Sequence, residues 1–150
     1  MFGKFLLVFI CTNVILHVYS AGISYYASPY KTNWFAAVET CNRMGMRLAV
    51  LDTAQKHEEA VQFGKVIKPQ STQFFGFWLG ASDLAYKGGS FMWHDSGNWV
   101  QFSRWNPGEP SGGSEHCVTL LYWPEAKFNW TWNDASCETA LCALCEPKVC

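Results

Sequence analysis

Five oxygen-bearing side chains in the second half of the chain could together bind a metal ion. They fall in two short stretches and are Glu109, Ser111, Glu115, Asn133 and Asp134. Calcium takes about six to eight oxygen ligands from carboxylates, amide carbonyls, hydroxyls and water. Three converging carboxylates would repel one another without a cation. The set could therefore hold a calcium ion, although composition and spacing alone favour a solvated acidic loop.

An enzymatic site finds little support. The sequence contains no nucleophile elbow, HExxH helix or phosphate-binding loop. The carboxylates could act as a glycosidase pair, but carboxylates held by calcium are not free to exchange protons. We therefore expect a binding protein and not an enzyme.

Two predicted helices precede the loop that carries these residues. Thr32 or Asn33 can cap the first helix, and Gly45 is suited to end it. Its inner face is marked by apolar residues at helical spacing, which are Trp34, Val38 and Cys41. A segment that resembles a capping box, Asp52 to Gln55, opens a second helix over 54–66, which Pro69 stops.

Short apolar runs separated by Gly, Pro, Ser and Asn predict antiparallel strands in the remainder. Beyond Pro69 these runs are Phe77–Leu79, Phe91–Trp93, Val118–Trp123, Trp130–Trp132 and Leu141–Cys145. Earlier in the chain, Tyr25-Tyr26 predicts a short first strand and Leu48–Leu51 a short buried strand. Early helices followed by strands indicate an α+β fold of one domain. The loop from Asn106 to Glu115 would lie between strands, where binding residues are common.

The N-terminal residues predict export. A basic start up to Lys4 and an apolar run over 5–18 are typical of a signal peptide, which we place at residues 1–20, leaving a domain of residues 21–150. The run is too short to favour a membrane span. The net charge of −1 gives no basic surface for nucleic acid or anionic lipid. We expect a secreted protein without nucleic-acid or membrane partners.

The cysteine count agrees with an extracellular protein. Cys11 would leave with the signal, so six cysteines remain, and an even number in an exported chain indicates disulfides. Six cysteines allow 15 pairings, among which the sequence alone does not choose. Asn129 begins an Asn-Trp-Thr sequon and is a predicted glycosylation site.

Several motifs in order resemble the C-type lectin domain family over about residues 25–146. Trp78-Leu79-Gly80 resembles its WIGL motif, and Trp132-Asn133-Asp134 matches its WND motif. Phe91 to Trp93 with Asp95, and the segment 105–111, resemble the strand, turn and loop entry between those motifs. The resemblance implies a C-type lectin-like α+β domain with two helices, small antiparallel sheets, a long calcium-binding loop and disulfide staples.

The family resemblance also implies disulfides and ligand roles. It pairs Cys41 with Cys145 and Cys117 with Cys137. Cys142 and Cys150 are additional to that pattern: either Cys142 pairs with Cys150, or Cys150 links two chains as a homodimer or hetero-oligomer. Glu109, Ser111, Glu115, Asn133 and Asp134 become the ligands of one calcium ion and of a sugar, and the Glu109–Pro110 bond becomes cis. Gly112, His116 and Lys87 stand where the acids of an auxiliary calcium site would be expected.

The implied function is calcium-dependent glycan binding. Members with Glu-Pro-Asn favour mannose-type sugars and those with Gln-Pro-Asp favour galactose, whereas this chain has Glu-Pro-Ser. Glu109 favours mannose, fucose or similar sugars, with glycan recognition in innate defence as one role. Ser111 favours the alternative, a module of the same fold that binds a protein without recognising sugar.

The remaining aromatic and histidine residues have structural interpretations. We expect Trp34, Trp78, Trp93 and Trp132 in the core, and Trp123 and Trp130 are the better candidates for stacking on a sugar. We expect His57 to be solvated on its helix and His116 to lie at the rim of the site.

Overall fold

The computed structural model describes residues 25–148, which fold around one mixed β-sheet. The predicted signal peptide and Cys150 lie outside the described residues. The strands are β1 (Tyr26–Thr32), β2 (Met46–Leu48), β3 (Phe75–Ser82), β4 (Met92–Trp93), β5 (Cys117–Trp123), β6 (Phe128–Ala135) and β7 (Leu141–Pro147); the α-helices are α1 (Trp34–Arg43) and α2 (Ala54–Ile67). A short 3-10 helix, Pro124–Ala126, joins β5 to β6. Among the described residues, no helix is long and apolar enough to cross a membrane.

The first helix begins at Asn33, one of its two predicted caps, whereas the second is capped by Thr53 and not by Asp52, the first residue of the predicted capping box. The Asn33 side chain accepts a hydrogen bond from the Ala36 N–H, and the Thr53 side chain accepts one from the Lys56 N–H. A short polar side chain at this position satisfies one of the N–H groups that a helix start leaves without a partner. The first helix ends at Arg43, just before Gly45, which has a φ of +69°.

The sequence predicts small antiparallel sheets, whereas in the structure the strands form one continuous sheet. Its order is β1-β7-β3-β5-β6, with β2 also paired to β7 and β4 to β3. The β3–β7 pair is parallel, and the other strand pairs are antiparallel. Alternating hydrophobicity predicts strands but does not choose their neighbours, so this pairing depends on the tertiary fold.

Apolar side chains are buried on both faces of the sheet. On one face α2 packs through Ala60 and Phe63 against Phe77 of β3. On the other face α1 packs near Trp78, the next residue of β3. Strand alternation thus divides each central strand between two clusters, which explains why β3 is buried along nearly its whole length.

Two disulfides have both of their cysteines among the described residues. Cys41 of α1 is bonded to Cys145 of β7, and Cys117 of β5 is bonded to Cys137. Cys142 is buried in the cluster on the opposite face of β7 from Cys145 and is itself disulfide-bonded. Its pairing with Cys150 stays a prediction, because Cys150 lies outside the described residues.

Candidate metal and ligand site

Three of the predicted carboxylates meet at one end of the β5–β6 hairpin. Each of Glu109, Glu115 and Asp134 offers an oxygen, and these oxygens lie within 4.8 Å of one another. The hairpin register pairs Val118 with Asp134, which brings the end of β6 beside the residues that lead into β5. Glu109 comes from the loop between β4 and β5. The fold therefore gathers acids that are up to 25 positions apart along the chain.

Asp134 shapes the loop that carries Glu109. The Ser111 N–H donates to Asp134 Oδ1 at 2.8 Å, and the Gly112 N–H donates to Oδ2 at 2.7 Å. The Glu109–Pro110 bond is cis, as the family resemblance implies. Gly112 has a φ of +73°, a conformation that glycine adopts without strain. Asp134 is fully buried, so it both anchors the loop and places a negative charge under it.

The two predicted ligands without a charge also lie at this end of the hairpin. The Ser111 hydroxyl donates to Glu115 Oε2 at 2.6 Å. The Asn133 side-chain amide donates to the main-chain carbonyl oxygen of Asp134. The structure thus connects Ser111 directly to Glu115 and Asp134 and holds Asn133 beside Asp134.

The charges of the cluster are incompletely compensated by the protein. Burial raises the pKa of Glu109, and the neighbouring Asp134 carboxylate raises it further. Glu109 Oε2 is a buried oxygen without a hydrogen-bond partner. Leaving such an oxygen unsatisfied is costly, and a bound cation would satisfy it. The donor set, with three carboxylates, a hydroxyl and an amide, fits calcium.

His116, which we predicted at the rim of the site, also contacts a buried acid. Its Nδ1 lies 2.8 Å from Oδ1 of the buried Asp83. Asp83 Oδ2 also accepts hydrogen bonds from the N–H groups of Gly88 and Gly89 at 3.2 and 3.0 Å. This group, which we call the Asp83 clamp, ties the end of β3 to the residue that follows Glu115. In the sequence, the only sign of this group is that Asp83 directly follows an apolar strand.

One prediction for an individual side chain is wrong, and one candidate for stacking on a sugar is excluded. His57 is buried, with 5% of its surface exposed, and its Nδ1 accepts a hydrogen bond from Trp132 Nε1 at 3.2 Å. Trp130 is 3% exposed and packs against Phe75 and Phe77, so it cannot stack on a sugar. Sequence reasoning placed both by their local neighbours, whereas packing of α2 on the sheet decides their burial.

Comparison with known proteins places this geometry in a family. The sequence profile described as "Lectin C-type domain" matches residues 30–147. The chain is 41% identical over 116 residues to salivary C-type lectin 1 of Aedes albopictus, covering 76% of this chain and 75% of the relative. It is 43% identical over 116 residues to C-type lectin 16 of Aedes aegypti, with the same coverage.

A solved structure agrees with this result. The carbohydrate-recognition domain of cow CD23, crystallised in the presence of a GlcNAc2Man3 oligosaccharide, superimposes with a TM-score of 0.67 at 26% identity. The alignment covers 89% of this chain and 95% of that domain.

Proposed function

Because the chain belongs to the C-type lectin domain family, we propose that it is a secreted, calcium-dependent lectin that binds mannose- or fucose-type sugars. The observation that carries the proposal is the meeting of three carboxylates around a buried Glu109 oxygen that has no hydrogen-bond partner. The names of the two mosquito relatives, one of them salivary, support an extracellular lectin. Secretion also rests on the predicted signal peptide over residues 1–20.

The proposed calcium ligands are the five predicted side chains. They are Glu109, Ser111, Glu115, Asn133 and Asp134. Asp134 keeps its loop contacts, and the main-chain N–H groups of Ser111 and Gly112 already hold the loop in place. A site that is organised before binding loses less entropy when a ligand arrives.

The same side chains would bind the sugar. When bound, calcium supplies positive charge and open coordination positions for two neighbouring sugar hydroxyls. Glu109 and Glu115 would each accept a hydrogen bond from one of these hydroxyls, and the Asn133 amide would donate to one. Hydrogen bonds to charged groups are the stronger kind. The site is partly solvated, so a single sugar should bind weakly and affinity should come from several sites acting together.

Affinity chromatography tests the proposal directly. We expect the mature chain to be retained on mannose-agarose in calcium and released by EDTA, with weaker retention on galactose-agarose. Glu109→Gln should abolish retention, because it removes the charge of a proposed ligand. Glu125→Gln is the matched control, since Glu125 is exposed in the 3-10 helix at the opposite end of the same hairpin. Retention that resists EDTA, or that survives in Glu109→Gln, would overturn the proposal.

A second function is a protein-binding module of the same fold, which one contact favours. The Ser111 hydroxyl already donates to Glu115 Oε2, so one acceptor needed for a sugar hydroxyl is engaged. Calorimetry separates the two functions. Calcium binding with heat on mannose addition supports the lectin, and calcium binding without any sugar heat selects the protein-binding module.

A further inference from the structure

A second cleft lies apart from the carboxylate cluster. Its volume is about 740 Å³, within the usual range for ligand pockets. It is lined by Arg47, Val50 and Asp52, by Trp93, and by residues of the segment 96–102. None of the five proposed calcium ligands lines this cleft.

The cleft combines an exposed aromatic ring with amide side chains. Trp99 is 50% exposed, and Tyr86 supports its ring at a centroid distance of 5.4 Å. Asn98 and Gln101, which are exposed and carry amide side chains, also line the cleft. A tryptophan that keeps half of its surface in water next to hydrogen-bonding groups suits a ligand with one apolar and one polar face.

The charges at the cleft are already paired within the protein. Arg47 lies 2.9 Å from Asp95 and 2.8 Å from the buried Glu146, and Asp52 lies 2.9 Å from Lys56. An anionic ligand would have to compete with two carboxylates for Arg47, so the electrostatics favour an uncharged ligand. Uncharged molecules with an apolar face and many hydroxyls are neutral saccharides.

We propose that the cleft beside Trp99 is a second, metal-independent binding site for neutral oligosaccharides. The pyranose ring would stack on Trp99, while its hydroxyls would exchange hydrogen bonds with the amides of Asn98 and Gln101. An amide both donates and accepts, so it can pair with a hydroxyl without any charge. This binding needs no cation and does not depend on the proposed calcium site.

The test uses an array of immobilised neutral oligosaccharides, with heparin oligosaccharides as the anionic comparison, probed in EDTA. We expect weak binding of the mature chain to neutral oligosaccharides and none above background to heparin. Trp99→Ala should reduce the EDTA-resistant binding at least about tenfold. Trp123→Ala is the matched control, because Trp123 is also exposed, at 39%, but packs on Phe74 outside the cleft. Gln101→Ala gives an independent second variant, with a reduction in the same direction.

The two proposed sites are distinguished by their variants. Glu109→Gln should keep the EDTA-resistant binding and lose only the calcium-dependent part, whereas Trp99→Ala should do the reverse. Absence of EDTA-resistant binding in the wild type overturns the second site and leaves the calcium site intact. EDTA-resistant binding that persists in Trp99→Ala, or that is confined to heparin, also overturns it.

Discussion

Ser111 is the residue at which this chain departs from the sugar-binding members that it resembles. Its hydroxyl reaches Glu115, whereas an asparagine would bring both a carbonyl ligand and an amide donor. The backbone around it is already suitable, since the cis Glu109–Pro110 bond and the Asp134 contacts of the loop are present. What the sequence changes here is therefore the chemistry of one ligand and not the shape of the loop.

We predict that Ser111→Asn strengthens calcium and mannose binding several-fold, because it restores a carbonyl ligand and a two-hydrogen donor. Titration calorimetry with calcium, followed by mannose, measures both. Ser114→Asn is the control, since Ser114 is an exposed serine of the same loop that we assign no ligand role. Equal effects of the two substitutions would contradict the assignment of Ser111.

His57 makes stability depend on pH. Burial lowers its pKa, and Arg104 lowers it further against an opposing effect of Glu58. The unfolded chain takes up a proton near the ordinary value of about 6.5, whereas the folded state resists it. The contribution of His57 to the free energy of unfolding is therefore fully present above about pH 6.5 and is lost as the pH falls below that value.

We predict that His57→Gln reduces the loss of stability at acid pH. The free energy of unfolding, measured by urea denaturation at pH 7.5 and pH 5, should fall less in the variant than in the wild type. His94→Gln, which replaces an exposed histidine, should keep the wild-type difference. A variant with the same acid loss as the wild type would rule out His57 as its source.

At the scale of elements, the Asp83 clamp links three parts of the chain. His116 bonds to Asp83 through its ring, and its N–H donates to the Ala135 carbonyl oxygen at 3.0 Å. The clamp thus spans the ends of β3, β5 and β6 next to the proposed site. Glu115 directly precedes His116, so the clamp positions this ligand.

We predict that His116→Ala lowers stability by about 1–3 kcal/mol, because the buried Asp83 loses a partner, and that it also weakens calcium binding. His116→Asn, which can donate to Asp83, should restore part of both losses. His94→Ala should change neither. If calcium affinity is unchanged in His116→Ala, the clamp stabilises the fold without positioning Glu115.

The contact between α2 and the sheet leaves no room at Gly64. A Cβ atom there would lie 2.6 Å from Trp130 Cη2 and 3.2 Å from Phe77 Cε2. Both rings are buried, so neither can move away freely. Glycine lowers helix stability by about 1 kcal/mol relative to alanine, and here that cost permits close packing of the helix.

We predict that Gly64→Ala destabilises the protein by about 1–2 kcal/mol, because crowding in the core outweighs the gain in helix propensity. Lys65→Ala, an exposed change in the same helix, should stay within about 0.5 kcal/mol of the wild type. Urea unfolding measures both. A stabilised Gly64→Ala would mean that the two rings give way.

At the scale of the whole molecule, the two disulfides whose cysteines both lie within residues 25–148 have different effects on the chain. Cys41–Cys145 joins residues 104 positions apart, and Cys117–Cys137 joins residues 20 positions apart. A longer loop restricts the unfolded chain more. The shorter link lies beside the site, since Cys117 is two residues after Glu115 and Cys137 is three residues after Asp134.

We predict that Cys41→Ala with Cys145→Ala costs about 4–5 kcal/mol, and that Cys117→Ala with Cys137→Ala costs about 3 kcal/mol. Only the second pair of changes should also weaken calcium binding in the folded protein. Denaturation curves and chelator competition, at a temperature where both variants are folded, give the two readouts. An equal loss of calcium affinity in both variants would contradict the local role of Cys117–Cys137.

The sequence by itself determined the local features of this protein. The start of each helix, the cap at Asn33 as one of two candidates, and most strand positions follow from side-chain chemistry and periodicity over a few residues. The order of motifs identified the family, and with it the five proposed ligands. These features depend on neighbours that are close along the chain, so they can be predicted from the sequence.

Only the tertiary structure decided which groups are buried and which are partnered. It placed Trp130 inside and left Trp99 half in water, buried His57 against Trp132, and paired β3 with β7 in parallel. It also left a Glu109 oxygen without a partner. Burial and pairing depend on residues tens of positions away, brought together by packing of the whole chain, and no local pattern carries that information.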